Sequence, residues 1–207
     1  ADEFVSLLKK KAEAMKLGCA YDEDTDLGPV VNAGHKEKIC NWIQKGIDEG
    51  AELVLDGRNA VVPGYENGFF VGPTILDHVT PEMTVGNREI FGPVTCIKRV
   101  KDYEEGIAVM NANPFANGSC IFTQSGYYSR KFAMETDGGM VGINVGIPVP
   151  TAYFPFSGNK DSFFGDLHVL GKDGYRFFTR AKTVTTHWFD EAAGKRKVGT
   201  WEGSTEA

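Results

Sequence analysis

The sequence predicts an α/β fold, a mostly parallel twisted sheet with flanking helices, and three observations lead there. Amphipathic segments of helical period run directly into short apolar runs rich in branched residues, as at 39–47 followed by 51–55. Between Val94 and Val145 the order strand, helix, strand, helix, strand implies parallel pairing through crossovers. With 42% hydrophobic and 24% charged residues among 207, the chain has an ordinary globular composition and enough length for one sizeable core.

The elements follow in order. Phe4, Leu7, Leu8 and Met15 recur at helical intervals, with Lys9, Lys10, Lys11 and Glu13 between them, and predict an amphipathic helix ending near Gly18. An acidic loop, 22–26, comes next. In the second helix Ile39, Trp42, Ile43 and Ile47 form one stripe. Asn32 can cap its start, and Gly50 stands where a left-handed C-terminal residue is wanted. Residues 51–55 read as a buried strand, and 57–72, rich in Gly, Pro and Asn, as loops or an exposed hairpin. Strands are expected at 74–79 and 94–100, then a helix capped by Asp102 and running through Met110. A strand at 119–123, a helix over 127–135 and a strand at 140–145 complete the alternation. Residues 146–174 show little periodicity. The β-branched and aromatic run 177–188 predicts a long strand without a local partner, hence a candidate for sheet extension across a subunit interface. Residues 190–207 read as a mobile polar tail.

A net charge of -6 leaves no basic footprint for nucleic acid or for anionic membrane. No apolar stretch is long enough to span a bilayer, and the first residues resemble neither a signal core nor a transit peptide. Cys19, Cys40, Cys96 and Cys120 are widely separated, without metal-ligand spacing, and read as reduced. His35, His78, His168 and His187 share no spacing either. Neither a G-x-S-x-G elbow nor a G-x-G-x-x-G turn occurs.

The most informative segment is Glu89-Ile90-Phe91-Gly92-Pro93-Val94. A carboxylate and an aromatic ring two positions apart lie on one side of an extended stretch, just before a strand. There Glu89 can accept hydrogen bonds from a diol while the Phe91 ring packs on a flat ring system. By residue type alone, a solvated Glu beside a core Phe is the competing reading.

This hexapeptide resembles the signature of the aldehyde dehydrogenase superfamily, and the resemblance extends over about residues 3–188. Asp26-Leu27-Gly28-Pro29-Val30, Gly72-Pro73-Thr74-Ile75, Asn113-Pro114-Phe115, Phe122-Thr123 and Lys182-Thr183-Val184-Thr185 occur in the order that the superfamily uses. Val141-Gly142-Ile143-Asn144-Val145-Gly146-Ile147-Pro148-Val149-Pro150, Ser162-Phe163-Phe164-Gly165-Asp166 and Thr185-Thr186-His187-Trp188 are similar to its CoA-acylating methylmalonate-semialdehyde branch. Gly146 departs from that pattern, where Pro is usual, and Phe156-Ser157-Gly158-Asn159-Lys160 is a loosened form of the Gly-rich turn.

The resemblance implies the C-terminal catalytic domain of such an enzyme at 1–174, an oligomerisation strand at 175–189 and a tail at 190–207. Glu89 is then expected on the nicotinamide ribose and Phe91 at the nicotinamide. By the same resemblance Ile147, Pro148 and Val149 are expected to border the substrate entrance and Phe156 to line the aldehyde tunnel; rigid loop packing is the alternative for these four. NAD and CoA as acyl acceptor are the implied cofactors, and a small aldehyde is the substrate. A homo-oligomer is expected, in the mitochondrial matrix of a eukaryote or the cytoplasm otherwise. The family nucleophile belongs to a Gly-Gln-x-Cys turn, which none of the four cysteines occupies, so no catalytic residue is expected among the 207. A C-terminal fragment, one half of a split enzyme completed by a separate N-terminal half, and a non-catalytic binding or assembly protein with this fold all accommodate that.

Overall fold

The computed structural model of the chain describes residues 1–186 and 188. They divide into two compact units, the first formed by Ala1–Val149 with Gly158–Phe164, the second by Pro150–Ser157 with the chain from Gly165.

The first unit opens with α1, Asp2–Glu13, whose acidic first turn and basic last turn both interact favourably with the helix dipole. The buried stripe is Val5 and Ala12 with half-buried Leu8 between them, whereas Phe4 and Leu7 face outward, contrary to the predicted face. The helix also stops short of Gly18. Beyond it, Lys16 closes the acidic loop through Asp24 and Asp26.

Helix α2, Ala33–Asp48, starts where predicted: the Asn32 carboxamide oxygen accepts the His35 amide at 2.8 Å. It stops where Gly50 takes φ 106°, a conformation that side chains with a Cβ rarely adopt. Its inner stripe, Ile39 and Ile43, is fully buried and meets Ala51, Val71, Leu76, Val79, Val85 and Ile90 in the main core. Burying one such aliphatic side chain contributes roughly 1.5 to 3 kcal/mol.

The core rests on a sheet of β1 (Glu52–Leu55), β2 (Thr74–Asp77) and β3 (Val94–Cys96), in that order. β2 and β3 are parallel, whereas β1 is antiparallel to β2, an antiparallel edge on which the expectation of a mostly parallel sheet is silent. The reason is the connection: 56–73 contains no helix, and a parallel neighbour needs a long crossover. Strand β2 is buried throughout, including Asp77. A single helical turn, α3 (Thr84–Asn87), precedes β3 and has no periodic signal in the sequence.

Asp102 caps α4, Tyr103–Ala112, by accepting the Glu105 amide at 2.9 Å. After β4 (Phe115–Ala116), strand β5 (Gly118–Ile121), helix α5 (Gly126–Glu135) and strand β6 (Met140–Ile143) form the predicted parallel unit. β7, Asn159–Lys160, pairs antiparallel with β4. The continuous sheet of the prediction is therefore three short sheets among the described residues.

In the second unit, Phe156 and Val169 form an antiparallel bridge, and α6 runs from Gly171 to Phe177. The long strand expected at 177–188 is absent from the described part of that run: the helix extends through Phe177, and no strand follows. A strand exists only by pairing, and this segment pairs with no strand among the described residues. The predicted tail, 190–207, lies outside the described residues.

Asp77 is the buried charge of the first unit. Arg99 meets it with Nη2 at 2.7 Å and Nε at 3.2 Å from both oxygens, and its Nη1 reaches Asp2 at 2.6 Å, tying α1 to β2. The Arg99 hydrogen bonds hold the Asp77 carboxyl below the usual carboxylate range, against the opposing effect of burial. A depressed folded value gives stability that is complete above the unfolded carboxylate value of about 3.9 and disappears as pH falls through the folded one. Asp77→Asn is expected to lower stability by about 2 to 4 kcal/mol, because Arg99 loses its inner partner but keeps Asp2 and some solvent. Urea unfolding should show that loss at pH 7 and a much smaller one near pH 2.

Candidate functional site

The segment preceding β3 is fixed at both ends. Ile90 is buried in the core, and the Pro93 carbonyl accepts the Thr74 amide at 2.9 Å. Between them Gly92 lies against α2. A Cβ at Gly92 would come within 2.6 Å of Ile39 Cδ1 and 2.9 Å of Cγ1, both on a side chain with no exposed surface. Only glycine permits that approach.

Phe91 takes φ 58°, in the left-handed region. Residues with a Cβ are disfavoured there by roughly 1 to 2 kcal/mol, so the neighbours must impose it. The consequence is an aromatic ring turned outward, 74% exposed. Its carbonyl lies 2.7 Å from His35 Nε2, and the His35 and Phe91 rings meet edge-on with centroids 6.4 Å apart.

Glu89 and Phe91 line one cleft of about 300 Å³ with Arg88, Val94 and Cys96. Among the described residues, no hydrogen bond or ion pair engages the Glu89 carboxylate. An exposed acceptor and an exposed ring on the same open cleft fit a flat heterocycle bearing a hydroxylated sugar. Cys96 is no nucleophile here: burial pushes its thiol up to about 11, so it stays protonated at neutral pH. It and the other three cysteines are free and partly buried. Among the described residues no cluster of His, Cys, Asp and Glu could hold a metal.

The second predicted cluster divides. Ile147, Pro148 and Val149 lie in the first unit, in the loop that leaves the carboxyl end of β6, and Phe156 lies in the second unit. Ligands of open α/β sheets bind beyond the carboxyl ends of parallel strands, which is where this loop begins. Its base is Asn144, φ 57°, whose Oδ1 accepts the Thr123 amide at 2.8 Å and whose Nδ2 donates to the Thr123 carbonyl at 3.0 Å. Pro148 packs close to Gly118 and Gly142, while Ile147 and Val149 are exposed. Phe156 is half-buried, and its amide donates to the Val169 carbonyl.

His35 and Asn144 were not singled out as site residues by the sequence. The only signal for His35 was its distance of one turn from the cap Asn32; for Asn144, it was an Asn directly after a strand, where left-handed backbone is common.

Known proteins bear on this geometry. The family model described as "Aldehyde dehydrogenase family" matches residues 1–184. A malonate-semialdehyde dehydrogenase 2 of Oceanobacillus iheyensis is 53% identical over 188 residues, covering 91% of this chain and 38% of its own length. An acylating mitochondrial methylmalonate-semialdehyde dehydrogenase of Arabidopsis thaliana is 52% identical over 183 residues, covering 88% of this chain and 30% of its own. The crystal structure of a candidate methylmalonate-semialdehyde dehydrogenase of Sinorhizobium meliloti, complexed with NAD, superposes with a TM-score of 0.89. It is 42% identical and covers 91% of this chain and 38% of its own. The chain thus spans less than half the length of these relatives.

The Gly92–Ile39 contact is testable by coupling. Gly92→Ala is expected to destabilise the chain by about 1 to 3 kcal/mol through overpacking. In an Ile39→Val background, which lacks Cδ1, the nearer of the two obstructing atoms, the same change should cost less. Equal costs in the two backgrounds, measured by chemical denaturation, would contradict the contact.

Proposed function

The chain belongs to the aldehyde dehydrogenase family, with its α/β fold, and on that premise we propose that it supplies one wall of the coenzyme and aldehyde sites of an NAD-dependent, CoA-acylating malonate- or methylmalonate-semialdehyde dehydrogenase. The observation that carries this reading is the cleft at Glu89 and Phe91, where an unengaged carboxylate and an outward ring share one face.

When bound, NAD supplies the hydride acceptor. The chain's own part is to bind and orient. Glu89 accepts hydrogen bonds from the hydroxyls of the nicotinamide ribose, a charge-assisted contact stronger than a neutral one. Phe91 offers its ring to the nicotinamide and limits the positions that the heterocycle can take, since only a narrow range of geometries brings donor carbon and acceptor together. Ile147, Pro148 and Val149, in the first unit, are assigned as an apolar rim at the substrate entrance, stiffened by Pro148; Phe156, in the second unit, is by itself assigned to the aldehyde tunnel on the family resemblance. Neither a Gly-Gln-x-Cys turn nor a G-x-G-x-x-G turn occurs among the 207 residues, so the part assigned to them is binding and orientation and not nucleophilic attack. The segment 177–188 is assigned to pairing with a second subunit, where a partner strand would supply the neighbour that a strand needs.

The assay is coenzyme handling in a full-length enzyme carrying this chain. Glu89→Gln is expected to cost about 1.5 to 3 kcal/mol in NAD affinity or hydride transfer, a tenfold loss or more. Unchanged Kd for NAD together with an unchanged rate would remove Glu89 from the site. The 207-residue chain by itself, mixed with malonate semialdehyde, NAD and CoA, should form no NADH; turnover would show that a nucleophile has been overlooked.

A further inference from the structure

We propose that His35 is a positioning residue for the coenzyme-facing turn: by donating to the Phe91 carbonyl from the first turn of α2, it holds the Phe91 ring in the orientation that the nicotinamide meets. The inference rests on the assignment of Glu89 and Phe91 to the nicotinamide site.

The left-handed backbone of Phe91 needs support on each side. Before it, Ile90 is anchored in the core; after it, Gly92 is pressed on Ile39. Those contacts fix the residues on either side; the polar contact to the Phe91 peptide itself comes from α2. Its carbonyl oxygen is met by His35 Nε2 at 2.7 Å, and no other side chain among the described residues hydrogen-bonds to backbone or side chain within 89–93. A carbonyl only accepts, so Nε2 must carry the hydrogen.

His35 is well placed to transmit rigidity. Its own amide is tied to the Asn32 carboxamide at 2.8 Å, and it belongs to a helix of 16 residues whose inner stripe is fully buried. The same imidazole touches the Phe91 ring edge-on, adding an aromatic contact to the polar one. Contact with Glu89 is absent from both sets. The arrangement therefore acts on the ring that faces the heterocycle and leaves the carboxylate that faces the sugar alone. Loss of His35 should loosen the nicotinamide orientation without releasing the coenzyme.

The test uses the full-length enzyme carrying this chain, with NAD and malonate semialdehyde bearing deuterium at the aldehyde carbon. His35→Ala is expected to slow single-turnover hydride transfer about fivefold, the worth of one hydrogen bond of ordinary strength, and to enlarge the deuterium isotope effect. Its Kd for NAD should stay within about twofold of the parent value. His35→Gln, whose amide can donate to the same carbonyl, should recover most of the rate. In a Phe91→Ala background, removing His35 should change little, because the ring that it orients is gone. A His35→Ala enzyme as fast as the parent, or a His35→Gln enzyme as slow as His35→Ala, would overturn the proposal. So would a rate loss matched by an equal loss of NAD affinity, which would indicate general disruption of the fold. Glu89→Gln, run in parallel, separates the levels: if it impairs coenzyme handling while His35→Ala does not, only the positioning role fails. If neither matters, the site assignment fails with it.

Discussion

The close approach of Gly92 to Ile39 is the constraint from which the candidate site follows. A helix can lie directly on a turn only where the turn has no side chain, and α2 uses that gap to bring Ile39 fully into the core. With Gly92 fixed and Ile90 buried on the other side, the backbone between them has little freedom, and Phe91 is held at φ 58°. A phenylalanine in an ordinary extended conformation at this point would direct its ring elsewhere. The outward ring thus follows from core packing one residue away together with the His35 contact to the Phe91 carbonyl, and the strain at Phe91 is sustained by surroundings that over-determine it.

A second constraint supports the first from beneath. β2 is buried from end to end, and its last residue is a carboxylate. An unpaired charge there would be severely unfavourable, and Arg99 resolves this by meeting Asp77 from the residues after β3 while also reaching Asp2 on α1. The β2–β3 pair on which the turn is mounted is thereby locked at the end away from the turn as well: Pro93 and Thr74 join at one end, Arg99 and Asp77 at the other.

Much of this was legible in the sequence because it depends on local chemistry. The caps Asn32 and Asp102 accept the amides that their positions imply, Gly50 takes the expected positive φ, and the 118–143 unit has its parallel pairing. Other features depend on partners remote in sequence. The antiparallel β1 follows from the absence of a helix in a connection whose Gly- and Pro-rich composition suggested loops without disclosing direction. The apolar Phe4 and Leu7 suggest one stripe for α1, but the face turned inward is that of Val5, Leu8 and Ala12. The run 177–188 was read from strand propensity, which measures fit to a sheet and cannot provide the neighbouring strand. At the site, Glu89 and Phe91 could be named from the motif, whereas His35 could not, since its relation to Phe91 spans 56 residues of sequence.

The two loops assigned to the site show why such relations differ in visibility. Both contain a residue with a side chain in the left-handed region, Phe91 at φ 58° and Asn144 at φ 57°. Asparagine tolerates that conformation, and its carboxamide supplies its own compensation, bonding both the amide and the carbonyl of Thr123. The support for Asn144 is therefore written into its residue type. Phenylalanine has no polar atom with which to do this, so its support must come from other elements: Ile39 through glycine, and His35 through the carbonyl. A strained residue that cannot stabilise itself indicates that something else holds it, and the holder has to be sought in space, on the helix packed across the turn.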